Sequence, residues 1–256
     1  MGEANEVKVK SLQKALEVLN CFLSRQPLGV TEISEELGLY KSSVSNILAT
    51  FSSMEYVEKD EETGKFRLGV GIYRLSRALG DHYAIDRVAQ PFMQKLSNKV
   101  GESVVISVPV ESEIFYVGGT FPDIPLFSSK PYYVGTTAKM YCTSSGKAML
   151  AFMDEKDREK ALSVKLEPLT PYTITDLNRL EEELELIRER GYATDHMECV
   201  IGLSCVAVPL LTSSGHLIGS LAITGPAHRI EGENTDYYVK ELLNCKAEIS
   251  AALVNM

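Results

Sequence analysis

Several things are scarce in this chain, and each scarcity closes a door. No apolar run approaches the ~18 residues that a membrane-spanning helix requires. The opening residues, MGEANEVKVK, lack the apolar core of a secretory leader. Cys21, Cys142, Cys199, Cys205 and Cys245 are odd in number and scattered, with no CxxC pair. That pattern argues against a disulfide framework and for a reducing, cytoplasmic setting. Internal repeats and low-complexity tracts are absent. Positive charge is also short: 26 Lys and Arg stand against 35 Asp and Glu, a formal net charge of −9. That sum disfavours a nucleic-acid partner, but its distribution does not. Residues 1–80 hold 10 basic and 11 acidic side chains, so nearly all the excess acid lies in the remainder. A near-neutral front and an acidic back imply two modules with different partners.

One stretch lacks carboxylates almost entirely. In "GLYKSSVSNILATFSSMEY", residues 38–56, the first sixteen positions carry a single charge, Lys41. At 100° per residue, Val44, Ile47, Leu48 and Phe51 share one narrow arc, the side that faces a core. Ser42, Ser45, Asn46, Ala49 and Ser53 occupy the opposite arc, all small and none negative. A helix lying in the major groove passes between two rows of phosphates, which repel carboxylates, and bulky side chains would hold it off. Short hydroxyls can bond phosphates or base edges, and an asparagine amide can pair with adenine. The same face would also suit a helix packed on a neighbour. Its context favours DNA. Thr31 is the expected N-cap of a short helix, "EISEELG", closed by Gly38. A hairpin follows, "EYVEK", "DEETGK", "FRLG", with Gly64 at its tight position. With the preceding amphipathic segment from Val9 to Ser24, these elements predict a winged helix-turn-helix over residues 1–70. Thr31, Lys41, Ser42, Ser43, Ser45, Asn46 and Thr50 are its expected DNA contacts. Lys59, Lys65 and Arg67 of the hairpin are placed for backbone phosphates, while Asp60, Glu61 and Glu62 keep the wing tip away. One such module makes few ionic contacts, so two copies are expected.

Residues 71–83 predict a linker helix, and residues 84–256 a second domain. "SVVISVPV" and "EIFYVGGTF" read as strands joined across Glu111 and Ser112. "TSSGKAMLAFM" reads as a helix capped by its Thr/Ser cluster. "TDLNRLEEELELIRERGY" reads as a helix with Leu177, Leu180, Leu184 and Ile187 inward and Gly191 at its end. "LSCVAVPLL" and "GHLIGSLAIT" form a hairpin turning at "TSSG", and a last helix runs from about Gly232 to Val254. Strands with helices on their faces give an α+β domain.

In this order, "SLQKALEVLNCF", "EISEELGLYKSSVSNILATFSSMEYV", "FRLGVGIYRLSRAL", "TSSGKAMLAFM", "GYATDHMECVIGLSCVAVPLL" and "LAITGPAHRI" resemble the IclR family of bacterial transcriptional regulators nearly end to end. The resemblance implies a winged helix-turn-helix that dimerises on double-stranded operator DNA. It also implies a GAF/PAS-like α/β domain that binds a small organic-acid effector and supports a homodimer or homotetramer. No cofactor and no enzyme activity are implied. Carried over by motif, the effector residues are Phe127, Lys130, Ser144, Ser145, Gly146, Asp195, Leu203, Cys205, Ala222 and Thr224. Where the family commonly has "HATASGK", this chain has Tyr141, Cys142, Thr143, Ser144 and Ser145 before the glycine, which implies a more polar pocket mouth. Phe127, Tyr132, Tyr133 and Tyr141 suggest an aromatic acid.

Two other chemistries fit fragments of the sequence. Ser144-Ser145-Gly146-Lys147 matches the S-x-x-K pattern of penicillin-recognising acyl-transfer enzymes, but neither S-D-N nor K-T-G occurs. It is no phosphate loop either, since Tyr141 stands where the first glycine is needed. Cys142, Asp195, His196, Cys199 and Cys205 offer donors that suit zinc, at spacings that match no standard ligand pattern. His82, His216 and His228 read as surface or turn residues.

Overall fold

The computed structural model describes residues 8–79, 85–122 and 134–254. The chain forms two compact units, Met1–His82 and Tyr83–Met256. In the first, α1 (Lys10–Asn20) runs into a 3-10 turn at Cys21–Leu23, followed by α2 (Val30–Leu37) and α3 (Lys41–Ser53). β1 (Val57–Lys59) and β2 (Phe66–Leu68) form an antiparallel hairpin, and α4 (Val70–Ala78) closes the unit. Val18, Phe22, Leu28, Ile33, Val44 and Leu48 are sealed in its core. Each such side chain contributes roughly 1.5–3 kcal/mol relative to exposure. Helical spacing identifies α1, yet Leu12 and Leu16 are about half exposed, Leu23 of the following turn is more so, and the buried positions are Val18 of α1 and Cys21 and Phe22 of the turn.

Thr31 is not the cap of α2. Gly29 holds the N-cap position, and the Glu32 carboxylate accepts the Gly29 N–H at 2.7 Å. Thr31 is exposed in the first turn. The carboxylate of Glu32, reaching back to the cap N–H, supplies the reciprocal half of a capping box.

The second unit is built on one antiparallel sheet of order β5-β4-β3-β8-β7-β6. Its strands are β3 (Ser103–Val110), β4 (Glu113–Thr120), β5 (Thr137–Lys139), β6 (Ala193–His196), β7 (Leu203–Leu211) and β8 (Leu217–Pro226). The hairpin connections fall where expected, with Glu111 at φ 55 between β3 and β4 and Gly215 at φ 83 between β7 and β8. Helices α5 (Ile85–Val100) and α10 (Asn234–Val254) cover one face; α6 (Ser144–Phe152) and α8 (Leu177–Arg190) cover the other. Two short helices, α7 (Glu155–Ala161) and α9 (Ala227–Ile230), and strand β5 went unrecognised in the sequence. In α8, Leu180, Leu184 and Ile187 are buried, but Leu177 lies in the first turn, half exposed.

The two faces differ in bulk. Val104, Ile106, Val206, Val208, Leu221 and Ile223 pack toward α5 and α10. On the opposite side the same strands present Val105, Ala193, Ala207 and Ala222. Strand alternation separates the two sets. The small side chains let α6 settle onto the sheet beneath α8, and Ser144 through Ala151 are all buried.

Candidate nucleic-acid interface and small-molecule pocket

Ser34 sets the geometry of the helix-turn-helix. Its Oγ donates to the Leu39 carbonyl at 2.6 Å, the Leu39 N–H donates to the Ser34 carbonyl at 3.1 Å, and Gly38 turns the chain at φ 64. That φ is readily adopted by glycine. Helix α3 then buries Val44, Leu48 and Phe51, while Lys41, Ser42, Ser43, Ser45, Asn46, Ala49, Thr50 and Ser53 are exposed. Thr50 and Ser53 turn their hydroxyls onto their own helix, donating to the Asn46 carbonyl at 2.9 Å and the Thr50 carbonyl at 2.7 Å. Ser42, Ser45 and Asn46 therefore form the outward polar ridge. Tyr40, directly before α3, is 84% exposed. An aromatic with nothing to pack on, at the entrance of this helix, is a further candidate contact.

Two of the three wing cations are not held in reserve. Lys65 pairs with Glu32 at 3.0 Å and Arg67 with Glu58 at 2.9 Å. Both pairs are exposed, and such pairs contribute only ~0–1 kcal/mol. A phosphate can displace either carboxylate at little cost.

In the second unit, sheet register assembles a pocket that spacing alone does not reveal. Asp195 of β6 lies opposite Cys205 of β7, which lies opposite Thr224 of β8. Along the same face, Ala207 lies opposite Ala222, and Ala222 opposite Val105 of β3. Above these rows stands the N-terminus of α6. The result is a recess with a free volume of about 50 Å³, lined by Val105, Tyr116, Thr143, Ser144, Ser145, Asp195, Cys199, Val200, Leu203, Cys205, Ala222 and Thr224. Seven of the ten expected effector residues therefore converge. Phe127 and Lys130 lie outside the described residues.

Gly146 does not line the recess. A Cβ there would stand 2.2 Å from the Met140 carbonyl oxygen, so its role is to let α6 press against the 3-10 turn at Met140–Cys142. Thr143 caps the helix by accepting the Gly146 N–H at 3.1 Å, and its carbonyl accepts the Lys147 N–H at 2.9 Å. The two preceding N–H groups, of Ser144 and Ser145, belong to residues that line the recess. A helix N-terminus of this kind favours an anion or acceptor. Tyr141 turns away, its hydroxyl donating to the Glu167 carbonyl at 3.0 Å.

Sequence reasoning missed the strongest electrostatic feature here. Lys147 Nζ meets Glu198 Oε1 at 2.5 Å, with side chains only 1% and 5% exposed. Asp195 Oδ1 accepts the Glu198 N–H at 2.7 Å, which fixes the bend after β6. Burial pushes the Asp195 carboxyl up to about 7, against the pull of that N–H and with the help of the nearby Glu198 carboxylate. Burial likewise raises the Cys205 thiol, which donates to Thr224 Oγ1 at 3.1 Å.

Neither competing chemistry is assembled. Lys147 is engaged by Glu198, not by Ser144, so S-x-x-K forms no nucleophile–base pair among the described contacts. Among the described residues, no group of three or more His, Cys, Asp and Glu side chains is arranged to hold a metal ion. Strand alternation explains part of this. His196 follows Asp195 and is exposed, with Nδ1 3.3 Å from Glu231.

A winged helix-turn-helix joined in one chain to an α/β unit with a small, largely apolar recess defines a DNA-binding regulator, not an enzyme. Residues 11–61 match the IclR helix-turn-helix domain, and residues 78–251 match the family described as bacterial transcriptional regulator IclR C-terminal. The chain belongs to the IclR family of transcriptional regulators. It is 28% identical to the HTH-type transcriptional regulator KdgR of Dickeya chrysanthemi over 245 residues, covering 94% of this chain and 79% of that protein. The Thermotoga maritima IclR structure superposes with a TM-score of 0.77 at 29% identity, covering 95% of this chain and 98% of that one. An IclR homologue from Microbacterium hydrocarbonoxydans, complexed with 4-hydroxybenzoate, shares the fold with a TM-score of 0.81 at 21% identity, covering 96% and 100% of the two chains. No described helix is long and apolar enough to cross a membrane.

Proposed function

We propose that this regulator binds operator DNA as a cytoplasmic homodimer or homotetramer, under control of a small organic acid held in the recess beside α6. The observation that carries the reading is the pairing of α6's N-terminus with Asp195 across the recess. The helix end and the hydroxyls of Ser144 and Ser145 suit a carboxylate. Asp195 suits a hydroxyl or amine elsewhere on the ligand, since it would repel a second carboxylate when ionised. Val105, Tyr116, Val200, Leu203 and Ala222 suit an apolar body, including an aromatic ring. Ser42, Ser45 and Asn46 enter the major groove, Lys41 takes a phosphate, and Lys65 and Arg67 exchange their carboxylates for the backbone. Occupancy alters the spacing of the two winged helices through the segment after residue 70, a coupling of ~1–3 kcal/mol.

Full-length protein screened by thermal shift against hydroxylated and aromatic carboxylic acids tests the reading, because a ligand of the folded form raises apparent stability. One acid class should raise the melting temperature, lose that effect in Ser145→Val, and keep it in Ser42→Glu. No shift with any acid, or an equal shift in Ser145→Val, overturns it.

A further inference from the structure

Three residues of the recess wall, Cys199, Val200 and Leu203, sit on the bend after β6 or where it enters β7. Glu198 precedes them and is held at its N–H, its carbonyl and its carboxylate. The N–H donates to Asp195 Oδ1 at 2.7 Å, and the carbonyl accepts the Thr173 hydroxyl at 2.6 Å. One carboxylate oxygen accepts Lys147 Nζ at 2.5 Å, from the first turn of α6. The Thr170 hydroxyl donates to the adjoining Met197 carbonyl at 2.8 Å. Met197 has φ 59, a conformation that a non-glycine residue keeps only where its surroundings over-determine it. Stability does not explain such an anchor. A buried ion pair gains little over well-packed apolar side chains, and the second Glu198 oxygen is buried with no hydrogen-bond partner among the described residues. What the arrangement supplies is position. Asp195 marks one pole of the recess, and Ser144 and Ser145, opening α6, mark the other. Asp195, Glu198 and Lys147 link the two poles in one continuous chain, although Glu198 itself does not line the recess.

We propose that Glu198 is a positioning residue that fixes the span from α6's N-terminus to Asp195, and thereby selects acids by where their hydroxyl stands. The span matters only if the recess holds an acid, so the proposal rests on the effector reading and sharpens it. An acid whose carboxylate sits at Ser144 and Ser145 reaches Asp195 only when its hydroxyl lies at the matching distance. An isomer with the hydroxyl one carbon nearer or farther engages a single pole, as does the acid with none. Without the Glu198 anchors, the Asp195 carboxyl and the Cys199–Val200 wall shift independently of α6. The helix end remains, so binding of the unsubstituted acid survives while discrimination by the hydroxyl is lost.

Calorimetric titration of the full-length protein is the test, with butyrate and its 2- and 3-hydroxy derivatives, and with benzoate and its 3- and 4-hydroxy derivatives. Wild type should favour one hydroxylated isomer over its parent acid by about tenfold, the worth of one hydrogen bond to a charged group. Lys147→Met with Glu198→Leu puts an apolar pair in place of the ions. That variant should bind the parent acid as wild type does and favour the hydroxylated isomer by about twofold or less. Thr173→Val, which leaves the ion pair whole, should lower the preference in the same direction, and it gives the same readout if the double variant does not fold. A double variant that weakens on every acid alike has lost only structure, which overturns the proposal. So does an unaltered preference in either variant. Wild type that binds these acids without preference among isomers leaves the effector reading standing and overturns the proposal alone. Wild type that binds none of them overturns the effector reading, and the proposal with it.

Discussion

Lys147 and Glu198 carry opposite charges into a space that excludes water. Removing one partner of a buried pair strands the other, at a typical cost of ~3–5 kcal/mol. Lys147→Met should lower stability by about that much in denaturant unfolding, and Lys147→Met with Glu198→Leu should recover much of it. Equal losses in the single and double variants would show that packing, not charge, dominates. Asp195 gives a second prediction. Its carboxyl is raised from an ordinary 3.8 to about 7 in the folded protein, so the fold prefers it protonated. The corresponding stability is full below about pH 4 and is lost as pH rises through about 7. Asp195→Asn should flatten that part of the stability–pH curve while keeping an oxygen to accept the Glu198 N–H. A wild-type curve with no fall between those values would contradict the assignment. None of this was legible beforehand. A lysine read from sequence is a solvated side chain, and only its position on a helix buried on all sides makes it otherwise.

At the scale of elements, α3 was the most readable part of the chain, because a single apolar arc divides its faces and the polar arc is unusual in lacking acid. Ser45→Glu should therefore abolish specific DNA binding in a mobility-shift assay while leaving the thermal midpoint nearly unchanged, since the position is exposed. Helix α6 was readable as a helix and as a capped one. Its depth was not, because depth depends on alanines two strands away. Gly146 marks that depth. Gly146→Ala drives a methyl into the Met140 backbone, where no side chain can give way. Overpacking of this kind costs ~1–3 kcal/mol, and the expected result is a lower melting temperature together with weakened ligand response. The pocket rows show the same limit of sequence reading. Asp195, Cys205 and Thr224 become neighbours only through the pairing of β6, β7 and β8, and no spacing along the chain encodes that register. The family motifs located those three residues, whereas Val105, Tyr116, Thr143 and Val200 emerged only with the sheet in place.

The whole molecule carries a net charge of −9 and must still approach a polyanion. Lys65 and Arg67 of its wing are already matched with carboxylates, so few charges are available per copy, and the proposed assembly supplies affinity through copies acting together. The first unit offers a surface for that. Val9, Leu12 and Leu16 along α1, and Tyr73 and Leu79 at α4, are about half exposed or more. Leu12→Glu with Leu16→Glu should shift the protein toward monomer in sedimentation and reduce operator affinity together. Unchanged sedimentation would place self-association elsewhere. DNA binding should also fall steeply as salt rises, in proportion to the phosphates contacted.

The unequal bulk of the two sheet faces has an evolutionary meaning. Valine, isoleucine and leucine toward α5 and α10 hold the frame, while Ala222, which lines the recess, helps set how much room remains beneath α6. Exchanging an alanine for serine, valine or glycine would resize and retune the chamber without loosening the scaffold behind it. On the proposed reading, descendants of this chain can change the small molecule they answer to through one or two substitutions, and keep the same address on the chromosome.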